Sequence, residues 1–319
     1  MNELVPLTIV GQGAIGLLAA CQLQRQRLPV QLWLRHNESN LRQTGKLSVD
    51  FTDLSGQSTS HIYTSVNASV FTTAPATPLI TRIVIPVKAY AVLPCLAELQ
   101  PYLSSQAQLI ISHNGMPELE AYQQQLKAEQ ALWFLSTTQA ALRSASGVQH
   151  TGIGQSTLAA INPTARKQSA SQQQALLQQL TLALGPVTLT ADILPVLWQK
   201  LAINAVINPI TALHRCRNGE LAAPELAPLI SALLREVCLV AAAEGMDLTY
   251  ASNLSRVYQV IEATKANKSS MLQDIEHGRP TEINAITGYL LRCAARHKLT
   301  LPHNERLLAQ VQQLAQGQS

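Results

Sequence analysis

Leu7-Thr-Ile-Val-Gly-Gln-Gly-Ala-Ile-Gly-Leu-Leu-Ala-Ala-Cys-Gln-Leu-Gln24 is the stretch that decides the fold. Leu7–Val10 is a short β-type run, Gly11–Gly16 follows at once, and Leu17–Gln24 reads as a helix. A G-x-G-x-x-G between a strand and a helix is the fingerprint of a dinucleotide-binding βαβ unit. Gly11 allows the tight turn, Gly13 lets the backbone approach a pyrophosphate, and Gly16 lets the helix pack close to the strand. The backbone N–H groups around Gln12, Ala14 and Ile15, at the start of that helix, suit an anion.

Outward from this unit the pattern alternates. Pro29–Leu34 reads as the second strand and ends in Arg35. Dinucleotide-binding chains that use NAD carry an acid near this point for the ribose 2′-hydroxyl. A guanidinium there suits a 2′-phosphate, so NADP(H) is preferred over NAD(H). Leu47–Phe51 and His61–Thr64 alternate like edge strands around Ser55-Gly56. Leu79–Ile85 is a buried-type strand with Lys88 just past its carboxyl end, where parallel sheets bind their ligands. Ala89–Tyr102 reads as a helix interrupted at Pro94. Gln108–Ser112 is a strand that stops at His113-Asn-Gly115, Pro117–Glu129 reads as a helix, and Leu132–Leu135 is a strand. Ser144–Ile161 reads as short antiparallel strands, Gln172–Leu184 as a helix, and Val187–Thr190 as the last strand. This is an α/β pattern: an N-terminal Rossmann-type, doubly wound, mostly parallel sheet with helices on both faces.

After Ala191 the strands stop. Helices are expected over Leu194–Leu213, Ala223–Glu244, Tyr250–Thr264, Thr281–His297 and Asn304–Leu314, an all-helical C-terminal domain. The expected division is residues 1–190 for the dinucleotide domain and 191–319 for the helical one.

The first of these helices contains Leu197-Trp-Gln-Lys-Leu-Ala-Ile-Asn-Ala-Val-Ile-Asn-Pro-Ile210. Lys200, Asn204 and Asn208 fall four apart, on one face of an otherwise apolar helix. One proton donor and two amides in so apolar a setting suit a small, oxygen-rich ligand. A solvated polar stripe is the plainer alternative. Lys265–Ser270 reads as a polar turn, and Arg279-Pro-Thr-Glu-Ile-Asn284 starts a helix. There Glu282 either offsets the helix dipole or partners Lys200.

Composition narrows the class. The net charge of +4 over 319 residues is small and scattered, and no basic cluster with interleaved aromatics suggests nucleic acid or a membrane surface. No secretory signal opens the chain, and no apolar span of 18 residues is expected. Cys21, Cys95, Cys216, Cys238 and Cys293 are far apart and form no C-x-x-C, as in a reduced, cytoplasmic protein. The eight histidines show no metal-binding spacing, so no metal is expected.

These motifs together resemble the ketopantoate reductase (2-dehydropantoate 2-reductase) family over nearly the whole chain. The resemblance is carried by Gly11–Gly16, Arg35, Val87-Lys-Ala89, His113-Asn-Gly-Met116, Trp198–Ala212, Asn218-Gly-Glu-Leu221, Ser269-Ser-Met-Leu-Gln-Asp-Ile275 and Thr281-Glu-Ile283. It implies reduction of the C2 ketone of 2-dehydropantoate by NADPH, on the route to pantothenate and coenzyme A, in a cleft between the domains. By this resemblance Lys200 is the proton donor, and Asn204, Asn208 and Asn218 hold the substrate. Ser270, with the backbone of Asn267, Lys268 and Ser269, binds its carboxylate or hydroxyl. Lys88, Asn114 and Ala141 line the cofactor site, and Glu282 lies where the nicotinamide ribose meets the substrate. Pro117 and Gln139 depart from the family pattern beside the cofactor crevice. Two alternatives remain at this level: a related NADP-dependent hydroxyacid dehydrogenase acting on another oxo acid, and a non-catalytic NADP-binding regulator. Oligomeric state is not legible.

Overall fold

The structure, a computed structural model, describes residues 5–34, 46–66 and 80–316. The chain forms two compact units. One holds Met1–His113 and Glu118–Ile193; the other holds Asn114–Pro117 and Leu194–Ser319.

The first unit runs β1 (Leu7–Val10), α1 (Ala14–Arg25), β2 (Val30–Trp33), β3 (Lys46–Thr52), β4 (Ser58–Val66), β5 (Ile80–Ile85), α2 (Val92–Leu99), β6 (Leu103–Ile111), α3 (Leu119–Gln124), β7 (Ala131–Thr137), β8 (Ala140–Arg143), β9 (Gly147–Gly152), β10 (Ser156–Ala160), α4 (Pro163–Arg166), α5 (Ala170–Leu184) and β11 (Val187–Thr190). The strands form one 11-stranded sheet in the order β11-β10-β7-β6-β5-β1-β2-β4-β3-β9-β8. The centre is parallel: Ile9 of β1 lies opposite Leu32 of β2 on one side and Val84 of β5 on the other. All four residues of β1 and all seven of β7 are buried, as expected of strands covered on both faces. Antiparallel pairing enters at β3–β4, β8–β9 and β7–β10.

Several sequence expectations shift here. Pro94 does not interrupt a helix. It sits in the first turn of α2, where its missing N–H has no partner to lose, and single 3-10 turns flank the helix at Ala89–Ala91 and Gln100–Tyr102. The strand expected from Gln108 begins at Leu103, and the helix expected over Pro117–Glu129 is confined to α3.

The second unit comprises α6 (Leu194–His214), α7 (Ala227–Ala243), α8 (Tyr250–Ala263), α9 (Ser270–Glu276), α10 (Ile283–Arg296) and α11 (Pro302–Gln316). α6 is its axis and packs against α7, α8, α9, α10 and α11. That explains its composition: an apolar helix surrounded by others buries Leu197, Trp198, Leu201, Ala202, Ala205, Val206, Ile207 and Ile210. α6 continues through Pro209. α9 was unforeseen, because its seven residues follow a polar turn and give no helical period of useful length.

The expectation of no long apolar span needs correction. Pro224–Ala243 is long and apolar enough, by length and composition, to cross a membrane, with a mean hydropathy of 1.8. Here α7 packs on α6, α8, α10 and α11 and carries a buried carboxylate, Glu236. Glu236 Oε1 accepts from His303 N and Nδ1, and Oε2 accepts from Asn304 N and Nδ2, so α7 anchors the start of α11.

Candidate active site

In the sheet unit the glycine turn has the geometry that its spacing predicts. Gly11 takes φ +77, in the left-handed region, and its N–H donates to Trp33 O at 2.8 Å. A Cβ on Gly16 would lie 3.1 Å from Pro86 Cγ and 3.2 Å from Ile9 Cγ2, so helix and strand are as close as a hydrogen side chain allows. Gly13 differs. A Cβ there would rest in ordinary contact, 3.5 Å from Pro86 O. The fold itself does not require glycine at this exposed position, which points to a ligand as the reason for it. Gly13 is also the N-cap of α1 and offers no side chain to the first-turn N–H groups of Ala14, Ile15 and Gly16, and that turn holds no acid. The arrangement fits a bound pyrophosphate.

Other cofactor-side candidates in this unit fall as follows. Lys88 lies three residues beyond β5, next to β1 in the sheet, and caps the 3-10 turn Ala89–Ala91. Gln12 Oε1 accepts from Arg143 Nη2 at 2.9 Å, which ties β8 to the glycine turn; nothing in the sequence pattern singled out Arg143. Ala141, two residues earlier on β8, is half-buried and faces His150 across the β8–β9 ladder. Gln139 is buried, donates from Nε2 to Gly154 O at 2.8 Å and lies 3.1 Å through Oε1 from His150 Nε2. Arg35 lies outside the described residues.

In the helical unit Lys200, Asn204 and Asn208 line up along α6 as their spacing requires, with Asn208 only 8% exposed. The Asn204 and Asn208 amides take no side-chain hydrogen bond among the described residues, unlike the fully engaged Glu236. Lys200 keeps partial exposure, yet enough protein surrounds its ammonium that burial pulls its pKa down from 10.5 to about 8, against the opposing pull of the Glu282 charge.

Glu282, 5% exposed, is the N-cap residue of α10 but makes no side-chain cap there. Its carboxylate instead accepts from Asn114: backbone N to Oε1 and Nδ2 to Oε2, each at 3.3 Å. Its charge also acts on Lys200, whose ammonium it favours. The turn that delivers Asn114 is pinned to α10. Met116 N donates to Ala285 O at 2.9 Å, and Gly115, at φ +77, would bring a Cβ within 2.5 Å of that same oxygen. Pro117, half-buried, directly follows this turn.

Asn218 is buried beside the loop that leads to α9. Its N donates to Asn267 O at 2.9 Å and its Nδ2 to Thr264 Oγ1 at 2.9 Å, while its Oδ1 is buried without a partner. That oxygen is an acceptor without a hydrogen-bond partner among the described residues. Asn267 and Lys268 are exposed, and Lys268 Nζ is engaged by Glu276 Oε1 at 2.5 Å. Ser269 is the N-cap of α9: its Oγ accepts from Leu272 N at 3.1 Å and lies 2.7 Å from Thr211 Oγ1. Its side chain is thus committed internally, and Ser270, exposed at the first position of α9, has the hydroxyl left for a ligand.

Residues 7–163 match the family described as Ketopantoate reductase PanE/ApbA, and residues 192–315 match its C-terminal part. The chain is 36% identical over 314 residues to the 2-dehydropantoate 2-reductase of Vibrio cholerae, spanning 98% of this chain and 99% of that one. The chain belongs to the ketopantoate reductase family. Within the family it is also 33% identical to the 2-dehydropantoate 2-reductase of Escherichia coli O157:H7, over 96% of this chain and 93% of that one. Among solved structures, a dimeric ketopantoate reductase from Staphylococcus aureus matches with a TM-score of 0.79 at 22% identity, covering 99% of this chain and 100% of that one. A D-mandelate dehydrogenase with NADH and anilino(oxo)acetate matches with a TM-score of 0.85 at 19% identity, over 98% and 99% of the two chains. At such identities the likeness is one of fold.

Proposed function

We propose that this chain is an NADPH-dependent oxidoreductase that reduces 2-dehydropantoate to pantoate. One observation carries the reading: a half-buried lysine whose pKa burial lowers to about 8, beside a carboxylate fixed by Asn114, on a helix face with two amides that take no side-chain hydrogen bond among the described residues. Such a lysine holds a proton at neutral pH and releases it readily, as a general acid near its operating pH should.

Gly11–Gly16 would hold a nicotinamide dinucleotide, which would supply the hydride that C2 of the oxo acid takes up. Lys200 hydrogen-bonds to the C2 ketone oxygen, stabilises the negative charge that grows there, and passes its proton to it. Glu282 keeps Lys200 charged against the cost of burial. Asn204 and Asn208 offer amides to the oxygens of the acid. Asn218 accepts from its hydroxyl through Oδ1, and Ser270 with the backbone at Asn267–Ser269 receives its carboxylate. Lys88, Asn114 and Ala141 line the cofactor, and Arg35 holds the 2′-phosphate that selects NADPH over NADH.

The test is NADPH and NADH oxidation with 2-dehydropantoate and with a panel of other 2-oxo and 3-oxo acids. The reading expects 2-dehydropantoate with NADPH to give the highest kcat/KM. A better rate with another oxo acid makes the chain a different hydroxyacid dehydrogenase. No turnover with any acid, while NADPH binds, makes it a regulator.

A further inference from the structure

Thr211 lies three residues beyond Asn208 on α6 and continues the row of Lys200, Asn204 and Asn208 along the helix. Unlike them it is completely buried. Its hydroxyl therefore meets no substrate, and its role must be read from what it touches. Within the helix it donates back to carbonyl oxygens, Ile207 O at 2.8 Å and Asn208 O at 3.0 Å, as threonines in helices commonly do. The third contact is of another kind. Thr211 Oγ1 lies 2.7 Å from Ser269 Oγ, 58 residues away in sequence. That same Ser269 oxygen accepts from Leu272 N at 3.1 Å and so fixes the first turn of α9.

A buried pair of hydroxyls thus joins the helix that carries the polar row to the cap of the helix that begins with Ser270. Ser269 is 5% exposed, so water does not replace a lost partner freely. The neighbouring bonds, Asn218 N to Asn267 O and Gly219 N to Lys265 O, fix the loop upstream of Ser269, and α9 itself packs on α6 and buries Met271, Leu272 and Ile275; the hydroxyl pair is the polar link at its cap. From this geometry, and resting on the function proposed above, we infer that Thr211 is a positioning residue for substrate: through Ser269 it sets where the Ser270 hydroxyl stands relative to the Asn204 and Asn208 amides.

Thr211→Val keeps the shape and removes the hydroxyl, Thr211→Ser restores it, and Ser269→Ala breaks the same link from the other side. Each is compared with wild type for KM and kcat on 2-dehydropantoate, for NADPH affinity by fluorescence, and for Tm. The expected result for Thr211→Val and Ser269→Ala is a rise in KM of about tenfold, the size of a lost hydrogen bond to a charged ligand. Their kcat and NADPH affinity stay near wild type, and Thr211→Ser recovers the KM. The double variant Thr211→Val with Ser269→Ala should be no worse in KM than either single, because both remove one link. A merely structural hydroxyl would lower Tm and leave KM unchanged, and that result overturns the inference. So does a KM rise in Thr211→Val that Ser269→Ala does not reproduce. If Thr211→Val does not fold, the KM of Ser269→Ala decides by the same criterion. Failure of wild type to turn over 2-dehydropantoate overturns the functional reading and this inference with it; normal wild-type turnover with an unmoved KM in the variants overturns this inference alone.

Discussion

The glycine turn of the sheet unit and the polar row of α6 offer their polar groups by opposite means. Between Gly11 and Gly16 the groups on offer are backbone N–H groups, and the side chains matter by being absent. Along α6 the groups on offer are side chains, and their properties depend on residues far away in sequence: Glu282 for the charge of Lys200, Ser269 for Thr211. A site made of backbone is written in local spacing. A site made of side chains is written locally only in its first row, and its supports come from the fold.

The sharpest way to separate the two is at Lys200. Lys200→Ala removes the charge and the proton donor, and turnover should fall by about 10²–10⁴-fold, the range for a positioned acid. NADPH binding should stay normal, since Gly11–Gly16 is in the other unit. Folding should survive, because removing a buried charge together with its desolvation cost is often tolerated.

The converse experiment is at Gly13. A Cβ fits the protein there, so Gly13→Ala should fold with a normal Tm and lose NADPH affinity by roughly tenfold to a hundredfold, the worth of one or two charge-assisted backbone contacts. The equivalent change at Gly16, where a Cβ would meet Pro86 and Ile9 at 3.1–3.2 Å, should lower Tm as well. Equal Tm losses at both positions would mean that Gly13 serves packing after all.

Arg35→Ala should weaken NADPH binding by about 1.5–3 kcal/mol and leave NADH binding unchanged. Equal weakening of both cofactors would make Arg35 structural.

These contrasts mark how much the sequence carried. Gly11, Gly13 and Gly16 were legible because each answers to a local demand of turn, ligand or packing. The Lys200-Asn204-Asn208 row was legible because helical period places the residues together. Glu282 was legible only as a choice between the helix dipole and Lys200, and Asn114 took a cofactor role only through the family resemblance. Their contact depends on Gly115 letting the turn come against Ala285, across 168 residues of sequence. Thr211 and Arg143 were missed. A threonine in an apolar helix and an arginine on an edge strand carry no signal until the fold brings Ser269 and Gln12 to them. The apolar length of Pro224–Ala243 was missed as well, because Arg235 and Glu236 interrupt the run.

Glu236 sharpens the contrast between a satisfied and a waiting polar group. Burial works to raise its pKa, but the hydrogen bonds from His303 and Asn304 outweigh it, so the carboxyl titrates below the ordinary glutamate value. A lowered folded-state pKa means stability that is full above the unfolded-state pKa and lost as pH falls through the folded one. Glu236→Gln should cost about 1.5–3 kcal/mol and flatten the acid limb of Tm against pH, with kcat unchanged at neutral pH. An unchanged acid limb would remove Glu236 from that account. Asn208→Ala, by contrast, should raise KM for the oxo acid with little change in Tm, because its amide makes no hydrogen bond among the described residues.

The pH dependence of the reaction in both directions tests the central claim most directly. Lys200 must carry its proton for reduction and must lack it for oxidation of pantoate. With its pKa near 8, kcat for reduction should fall as pH rises through about 8, and kcat for oxidation should rise over the same interval. Both limbs should vanish in the residual activity of Lys200→Ala. A folded, NADPH-binding Lys200→Ala variant with near-normal turnover, or one that keeps both limbs, would contradict the assignment of Lys200 as the proton donor.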